Sequence, residues 1–287
     1  MLPLRVSSVQ FHHHSIKSFD EFVAQVRRDV LLAKDFGSRL VCFPEYVTGS
    51  LLTIPGQEDE GLTAWDRWTG PYLELFSDLA RQCGLYILGG THLVREGDRW
   101  YNTAHLFTPS GGVYTQRKLH LTPVETDPWR LGTGERVRVF ETDLGRLAIL
   151  ICYDIEFPEA ARAAADAGAD LLLCPSATDD RAGFWRVRYC CLARAVENQV
   201  YVVHSALVGG LPGVRYLEQS YGRSGILSPC DIPFARDGVV ADGEWNQELV
   251  VTGLVHTELL AEVRAAGSVT PRQSRRAAYH AEIVTAP

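Results

Sequence analysis

A short apolar run, Leu147 to Ile151, leads directly into Cys152, and Pro158 then opens an alanine-rich stretch that closes near Ala167. An apolar run of that length fits a buried strand. Proline at the first helical position, with Glu156 and Glu159 close by, fits a helix start. A thiol at such a strand-to-helix bend is held rigidly, and the bend can leave it accessible, which is the placement nucleophilic catalysis needs. Buried cysteines also serve as small apolar side chains. This segment alone leaves both readings of Cys152 open, and its partners must decide.

The same alternation runs along most of the chain. Leu4 to Phe11 reads as a strand. A helix follows, with Ser18 and Glu21 in a capping-box pattern, Phe19, Phe22, Val23, Val26, Val30 and Ala33 at helical spacing, and Gly37 at the stop. Arg39 to Phe43 is a strand ending at Pro44-Glu45, and a second helix is expected to begin near Pro71, with Tyr72, Leu75, Phe76 and Leu79 on one face. Leu85 to Val94 and Trp100 to Phe107 read as neighbouring strands, and the Gly111-Gly112 turn leads to Val113 to Arg117. Further on come Asp170 to Cys174 (strand), Phe184 to Glu197 (helix), Gln199 to Leu207 (strand) and late strands near Ser224 to Leu227 and Leu249 to Val255. The polar, Arg-rich tail from Ser268 reads as extended packing or a partner-binding arm. With no internal linker or repeat, residues 1–287 are expected to form one α/β domain, helices covering β-sheets on their outer faces.

Composition excludes several classes. The 287 residues are 46% hydrophobic and 22% charged, enough for a sizeable core. The net charge is −7, and no basic run exceeds pairs such as Arg275-Arg276, which argues against nucleic acid as a partner. No apolar stretch approaches the ~20 residues that span a bilayer, and MLPLRVSSVQF does not read as a secretory signal. The seven cysteines are irregularly spaced without a CxxC pair. Neither a disulfide framework nor a zinc ribbon is suggested, and a reducing cytoplasm is the expected setting.

Three ionisable residues stand where strands are expected to end: Glu45 after Val41-Cys42-Phe43-Pro44, Lys118 after Val113 to Arg117, and Cys152 after Leu147 to Ile151. Strand ends are where α/β folds build sites. A lone Glu or Lys there is ordinarily a solvated loop residue; the three together, with their neighbours, are harder to dismiss.

FPEYVTG (Phe43 to Gly49), RKLHLTPVE (Arg117 to Glu125) and ICYDIEFPE (Ile151 to Glu159) resemble the three catalytic boxes of the nitrilase superfamily of carbon–nitrogen hydrolases. LARAVENQVYVV (Leu192 to Val203) resembles the family's helix-to-strand segment after the nucleophile, and RRAAY (Arg275 to Tyr279) its C-terminal signature. The similarity covers nearly the whole chain, in the family's order.

The resemblance implies a four-layer αββα sandwich and a Glu-Lys-Cys triad: Cys152 the nucleophile, Glu45 the general base, Lys118 the cationic stabiliser. It also implies that Glu125, a second glutamate in the matched box, orients substrate or lysine, with Tyr46 and Tyr153 as supporting residues. The chemistry agrees with the residue types. A thiol is mostly protonated at neutral pH, so a carboxylate must take its proton, which can later go to the leaving amine. Lys118 and the backbone N–H of Tyr153 would meet charge developing on the substrate oxygen, and water activated by Glu45 would hydrolyse the thioester. One departure is Glu156, where many family amidases carry arginine; it either alters the pocket or repartners a salt bridge behind it. That variant resembles a less characterised branch, some of whose members are fused to an acetyltransferase domain, and no such domain is expected within these residues.

Other candidates have plainer readings. His12, His13 and His14 cannot all face one ion from a regular strand or helix, and a solvated loop is expected there. Cys190 and Cys191 point in different directions from one helix, so packing is expected of them rather than redox chemistry. Gly89-Gly90 and Gly209-Gly210 read as close-approach or turn glycines at strand ends. Trp65, Trp68, Trp129 and Trp185 read as core or interface, one or two lining a pocket mouth.

The expected activity is hydrolysis of a non-peptide C–N bond, in an amide or N-carbamoyl group of a small molecule, through a thioester acyl-enzyme. Nitrile hydrolysis to acid and ammonia is one alternative, and a non-catalytic scaffold that keeps the fold is another. No metal or organic cofactor is expected. By the resemblance a homodimer or higher homo-oligomer is expected, using the helix Phe184 to Glu197 and the C-terminal arm.

Overall fold

The computed structural model describes residues 3–56, 61–276, 280 and 283. Among them, β1 (Leu4–His13), β2 (Leu40–Cys42), β3 (Tyr86–Glu96), β4 (Arg99–Phe107) and β5 (Val113–Arg117) build one half of a curled sheet. The other half is built from β6 (Val139–Thr142), β7 (Gly145–Ile149), β8 (Leu171–Ser176), β9 (Tyr201–Gly209), β10 (Gly225–Leu227) and β11 (Val239–Asp242). β12 (Leu249–Val255) returns to the first half, antiparallel to β1. The halves meet on β1: Val6–Ser8 pairs with β2, whereas Phe11–His13 pairs with β9.

Period-2 alternation assigns the layers. Leu40 and Cys42 of β2 point into the core between the halves, with Val6, Leu88 and Leu106, and meet Leu147, Ile149 and Leu171 to Leu173 of the second half. Val41, Phe43, Ile87 and Phe107 point the other way, into a core with α1 (Phe19–Asp35) and α2 (Thr63–Cys83). On the far side α4 (Pro158–Asp166) and α5 (Arg181–Asn198) cover β7 to β9, the short α3 (Pro123–Thr126) lying in the β5–β6 connection. The order helix, sheet, sheet, helix is the expected αββα sandwich.

α1 matches its sequence signals: Ser18 Oγ accepts from the Glu21 N–H at 3.4 Å, Phe22, Val26, Val30 and Ala33 are buried, and Gly37 follows at φ +76°. Three expectations are corrected. α2 begins at Thr63, not near Pro71, which lies inside it. Proline removes one helical hydrogen bond, but Ala64 and Trp65 before it and Tyr72, Leu75, Phe76 and Leu79 after it bury one continuous face, and that packing outweighs the loss. β1 runs on to His13, so His12 to His14 is not a solvated loop: His13 is fully buried, edge-on to Phe11, and only His14 is exposed. β3 does not end at Gly89-Gly90; the pair forms a break in register within it.

Beyond β12, α6 (Thr257–Ala266) and α7 (Pro271–Ser274) bring the tail back onto α4, where Arg272 bonds the Ala165 carbonyl and Arg275 pairs with Asp166 at 2.8 Å. The tail up to Arg276 is therefore packed; Ala277 to Tyr279 of RRAAY lie outside the described residues. No helix among the described residues is long and apolar enough to cross a membrane.

Candidate active site

β2, β7, β8 and β9 run parallel to β1, and β5 shares their direction through two antiparallel steps from β3. Their carboxyl ends therefore lie along one rim, and the antiparallel β4 begins there. Glu45 follows β2, Lys118 follows β5, Cys152 follows β7, Ala177 follows β8, and Asn102 stands near the start of β4.

Glu45 sits in a turn clamped by β3. Tyr46 adopts a left-handed conformation (φ +55°), its N–H bonds Thr91 Oγ1 at 2.9 Å, and Thr91 N–H bonds the Pro44 carbonyl at 3.3 Å. Gly90 makes this close approach possible: it lies at φ +68°, and a Cβ there would stand 2.1 Å from the Pro44 oxygen.

Cys152 opens a single 3₁₀ turn, Cys152–Glu156, at φ +46°. The regular strand stops at Ile149 rather than running up to the cysteine. The bend is held by Asp154, whose fully buried carboxylate accepts from Ile151 N–H (3.1 Å), Leu119 N–H (3.1 Å) and His120 N–H (2.8 Å).

The side chains converge. Lys118 Nζ lies 2.8 Å from Glu45 Oε1 and 2.7 Å from Glu125 Oε2. Asn102 Nδ2 donates to Oε1 of both carboxylates, at 2.9 and 2.8 Å. Ala177 N–H donates to Glu45 Oε2 at 3.0 Å. The Tyr46 hydroxyl donates to Glu125, which also closes a capping box with Thr122 at the start of α3. Cys152 Sγ faces Ser176 Oγ at 3.5 Å and the Ala177 carbonyl at 3.6 Å. Glu45, Lys118 and Glu125 are at most 2% exposed and Cys152 is 5% exposed, so the thiol is enclosed by the fold.

The amino-acid sequence agrees with known proteins across this whole framework. Residues 5–265 match the family model described as carbon-nitrogen hydrolase. The chain is 44% identical over 281 residues to the probable hydrolase YhcX of Bacillus subtilis, covering 97% of this chain and 55% of that protein; it thus spans little more than half of that relative. It belongs to the carbon–nitrogen hydrolase family.

Other members share the outline. The human omega-amidase NIT2 is 28% identical over 302 residues, covering 99% of each chain. The solved carbon–nitrogen hydrolase of Helicobacter pylori superposes with a TM-score of 0.80 at 20% identity, covering 96% of this chain and 95% of that one. An amidase from Nesterenkonia sp. AN1, in a structure with acrylamide added at its active-site cysteine, gives a TM-score of 0.72 at 22% identity, covering 91% and 97%.

In this carbon–nitrogen hydrolase, burial sets the electrostatics. It pushes the Glu45 carboxyl up, as does the Glu125 charge, while Lys118 opposes both. Burial works against the Lys118 ammonium, but two carboxylates more than offset it and hold the lysine firmly charged. Burial likewise works against Glu125, yet Lys118, Tyr46 and the Thr122 N–H bring it below its ordinary value. Burial, reinforced by the Glu45 charge, drives the Cys152 thiol well up, with Lys118 opposing. The resting thiol therefore keeps its proton beside a carboxyl with raised affinity for one.

Of the residues expected from the sequence, Glu45, Lys118, Glu125, Tyr46 and Cys152 gather in one cluster. Tyr153 lies half-buried beside it, its ring edge-on to Phe157. Glu156 points to α5, where Arg186 Nε lies 3.5 Å away. Trp65 and Trp129 both press on Tyr46, with ring centroids 6.0 and 5.8 Å away. Asn102, Asp154 and Ser176 also belong to this cluster, beyond the residues expected from the sequence. Asp154 had a signal, lying two residues beyond the cysteine in a matched box; Asn102 and Ser176 had none outside the fold.

Proposed function

We propose that this chain is an amidase-type thiol hydrolase, cleaving the C–N bond of a small amide or N-carbamoyl compound with Cys152, Glu45 and Lys118. The observation that carries this is the position of the Glu45 carboxyl, held 2.8 Å from Lys118 Nζ in an enclosed site and bonded by the N–H of Ala177, the residue whose carbonyl faces the Cys152 thiol at 3.6 Å.

Glu45 takes the thiol proton as Cys152 Sγ bonds to the carbonyl carbon. Lys118, with the N–H of Tyr153, then meets the oxyanion; an N–H at the start of a helical turn has no partner within that turn. Glu45 passes the proton to the leaving nitrogen as the C–N bond breaks, leaving a thioester. Water gives a proton to Glu45 and its hydroxide to the acyl carbon. The C–S bond then breaks and the proton returns to sulfur. Glu125 holds Lys118 throughout. Amide rather than nitrile is supported by relatives named omega-amidases and by the neighbour with acrylamide at its cysteine.

The test is ammonia or amine release across small amides, N-carbamoyl amines and nitriles, with wild type and Cys152→Ala. Turnover of amides or carbamoyl compounds that Cys152→Ala abolishes is expected. Full activity in that variant would reject the mechanism, and release from nitriles alone would reject the bond class.

Residues 1–287 are read as one hydrolase domain with a C-terminal arm from about 268, working in the cytoplasm, where the seven free cysteines would stay reduced. A homodimer through α5 is supported by Tyr189, 62% exposed and stacked on Trp185, which adjoins Trp245. Sedimentation at micromolar concentration is expected to show a dimer; monomer alone would reject it.

A further inference from the structure

The thiol is enclosed, so the recognition of a substrate must extend beyond the cluster that would cleave it. A cavity of about 780 Å³ bordered by described residues approaches that cluster through Trp65 and Trp129, which pack on Tyr46. Two of its walls are Trp65 and Trp129, the rings set edge-on against Tyr46, whose hydroxyl bonds Glu125. A third aromatic wall is Tyr216, with its ring centroid 5.7 Å from that of Trp129 at an interplanar angle of 82°. Val214 and Leu217 add aliphatic surface from the same loop.

One charged side chain stands among the described residues lining this space. It is Arg215, whose guanidinium carbon lies 4.7 Å above the centre of the Tyr216 ring. Stacking of this kind holds the planar fork at the cavity edge, and guanidinium matches a carboxylate through two parallel hydrogen bonds. Tyr216 itself is at φ +70°, an unfavourable conformation for a tyrosine. That conformation is kept in the loop that carries both the aromatic wall and the cation, and strain of this sort gathers at ligand clamps.

We infer that this cavity is the binding site for the body of the substrate, and that it selects amides with a flat apolar or aromatic body ending in a carboxylate, which Arg215 pairs. Trp65, Trp129 and Tyr216 take the body and leave the amide end at the Tyr46 side, toward Cys152. This rests on the amidase reading above, which fixes only the bond that is cut.

The test uses 3-(4-carboxyphenyl)propanamide and its neutral counterpart 3-(4-methylphenyl)propanamide. In the Cys152→Ala protein, tryptophan fluorescence or calorimetry reads binding without turnover. The carboxylate compound is expected to bind about tenfold tighter or better, the usual worth of a charge-assisted pair. That advantage should shrink with added salt and disappear in Cys152→Ala/Arg215→Gln, with Arg215→Lys restoring part of it. In otherwise wild-type protein the ratio of kcat/KM for the two amides should fall about tenfold with Arg215→Gln. Equal affinities, or a preference indifferent to Arg215→Gln, would overturn the inference. Selective binding without hydrolysis by wild type would uphold the cavity and count against the amidase reading. Hydrolysis of both amides without preference would do the reverse.

Discussion

The carboxylate of Asp154 lies 2.8 Å from the backbone nitrogen of His120, joining the turn that carries Cys152 to the strand end that carries Lys118. Leu119 and Ile151 donate to the same group, so one buried side chain fixes two segments far apart in the sequence. Asp154→Asn replaces an acceptor-only group by one that must turn an N–H toward these donors. We expect a stability loss of about 1–3 kcal/mol, from the cost of disturbed hydrogen bonds to a buried charge. Turnover should fall more than tenfold while KM moves less, because the thiol and ammonium lose their mutual placement. Steady-state kinetics beside a denaturant titration would check this; unchanged kcat would show that the bond only stabilises the fold.

Glu45→Gln keeps the shape of the side chain but removes the proton acceptor. Lys118 retains Glu125 at 2.7 Å, so the ammonium is not left without a counter-charge and the fold should hold. Turnover should drop about 10²- to 10⁴-fold, the range for loss of a general base. A far smaller drop, with the fold intact by circular dichroism, would assign the base elsewhere.

Gly90→Ala places a methyl group against the Pro44 carbonyl at a backbone angle that suits glycine. A loss of about 2–4 kcal/mol is expected, in the range of a backbone clash in a packed strand. Activity should fall even in the folded fraction, because the same contact seats Glu45. A thermal melt and specific activity per folded molecule would check both.

Acid should unfold this protein early. Burial lowers His13, His92 and His204 to about 3 and His105 to about 4. In the unfolded chain each titrates near 6.5. Below that pH the unfolded state binds protons that the folded state does not, so stability is lost as pH falls. Asp29 acts oppositely: burial raises it to about 6, so the folded state binds its proton first. The five groups together give a net uptake of about three protons on unfolding at pH 5, or about 4 kcal/mol per pH unit. Denaturant midpoints between pH 7 and 5 would test this, and a flat profile would contradict it.

The sequence exposes Glu45, Lys118 and Cys152 because each follows an apolar run, and a strand end is visible in local composition. Glu125 and Tyr46 are visible only as parts of matched boxes. Asn102 is not, since its side chain reaches Glu45 and Glu125 only after β4 pairs with β3 and β5. Short, half-buried strands such as β6 and β11 give too little alternation to be read. Pro71 and His13 mislead for one reason: a local rule predicts a break or a solvated loop, and burial overrides it. His13 lies beneath Gly49, where a Cβ would stand 2.6 Å from its ring, and that contact is invisible in the linear order.

The most direct measurement is the intact mass of the enzyme, acid-quenched during turnover of an amide found in the substrate panel, followed by peptide mapping. An added acyl mass on Cys152, absent from Cys152→Ala and decaying at the rate of turnover, is the expected result. Sustained amide hydrolysis with Cys152 unmodified, and retained in Cys152→Ala, would contradict thioester catalysis at this site.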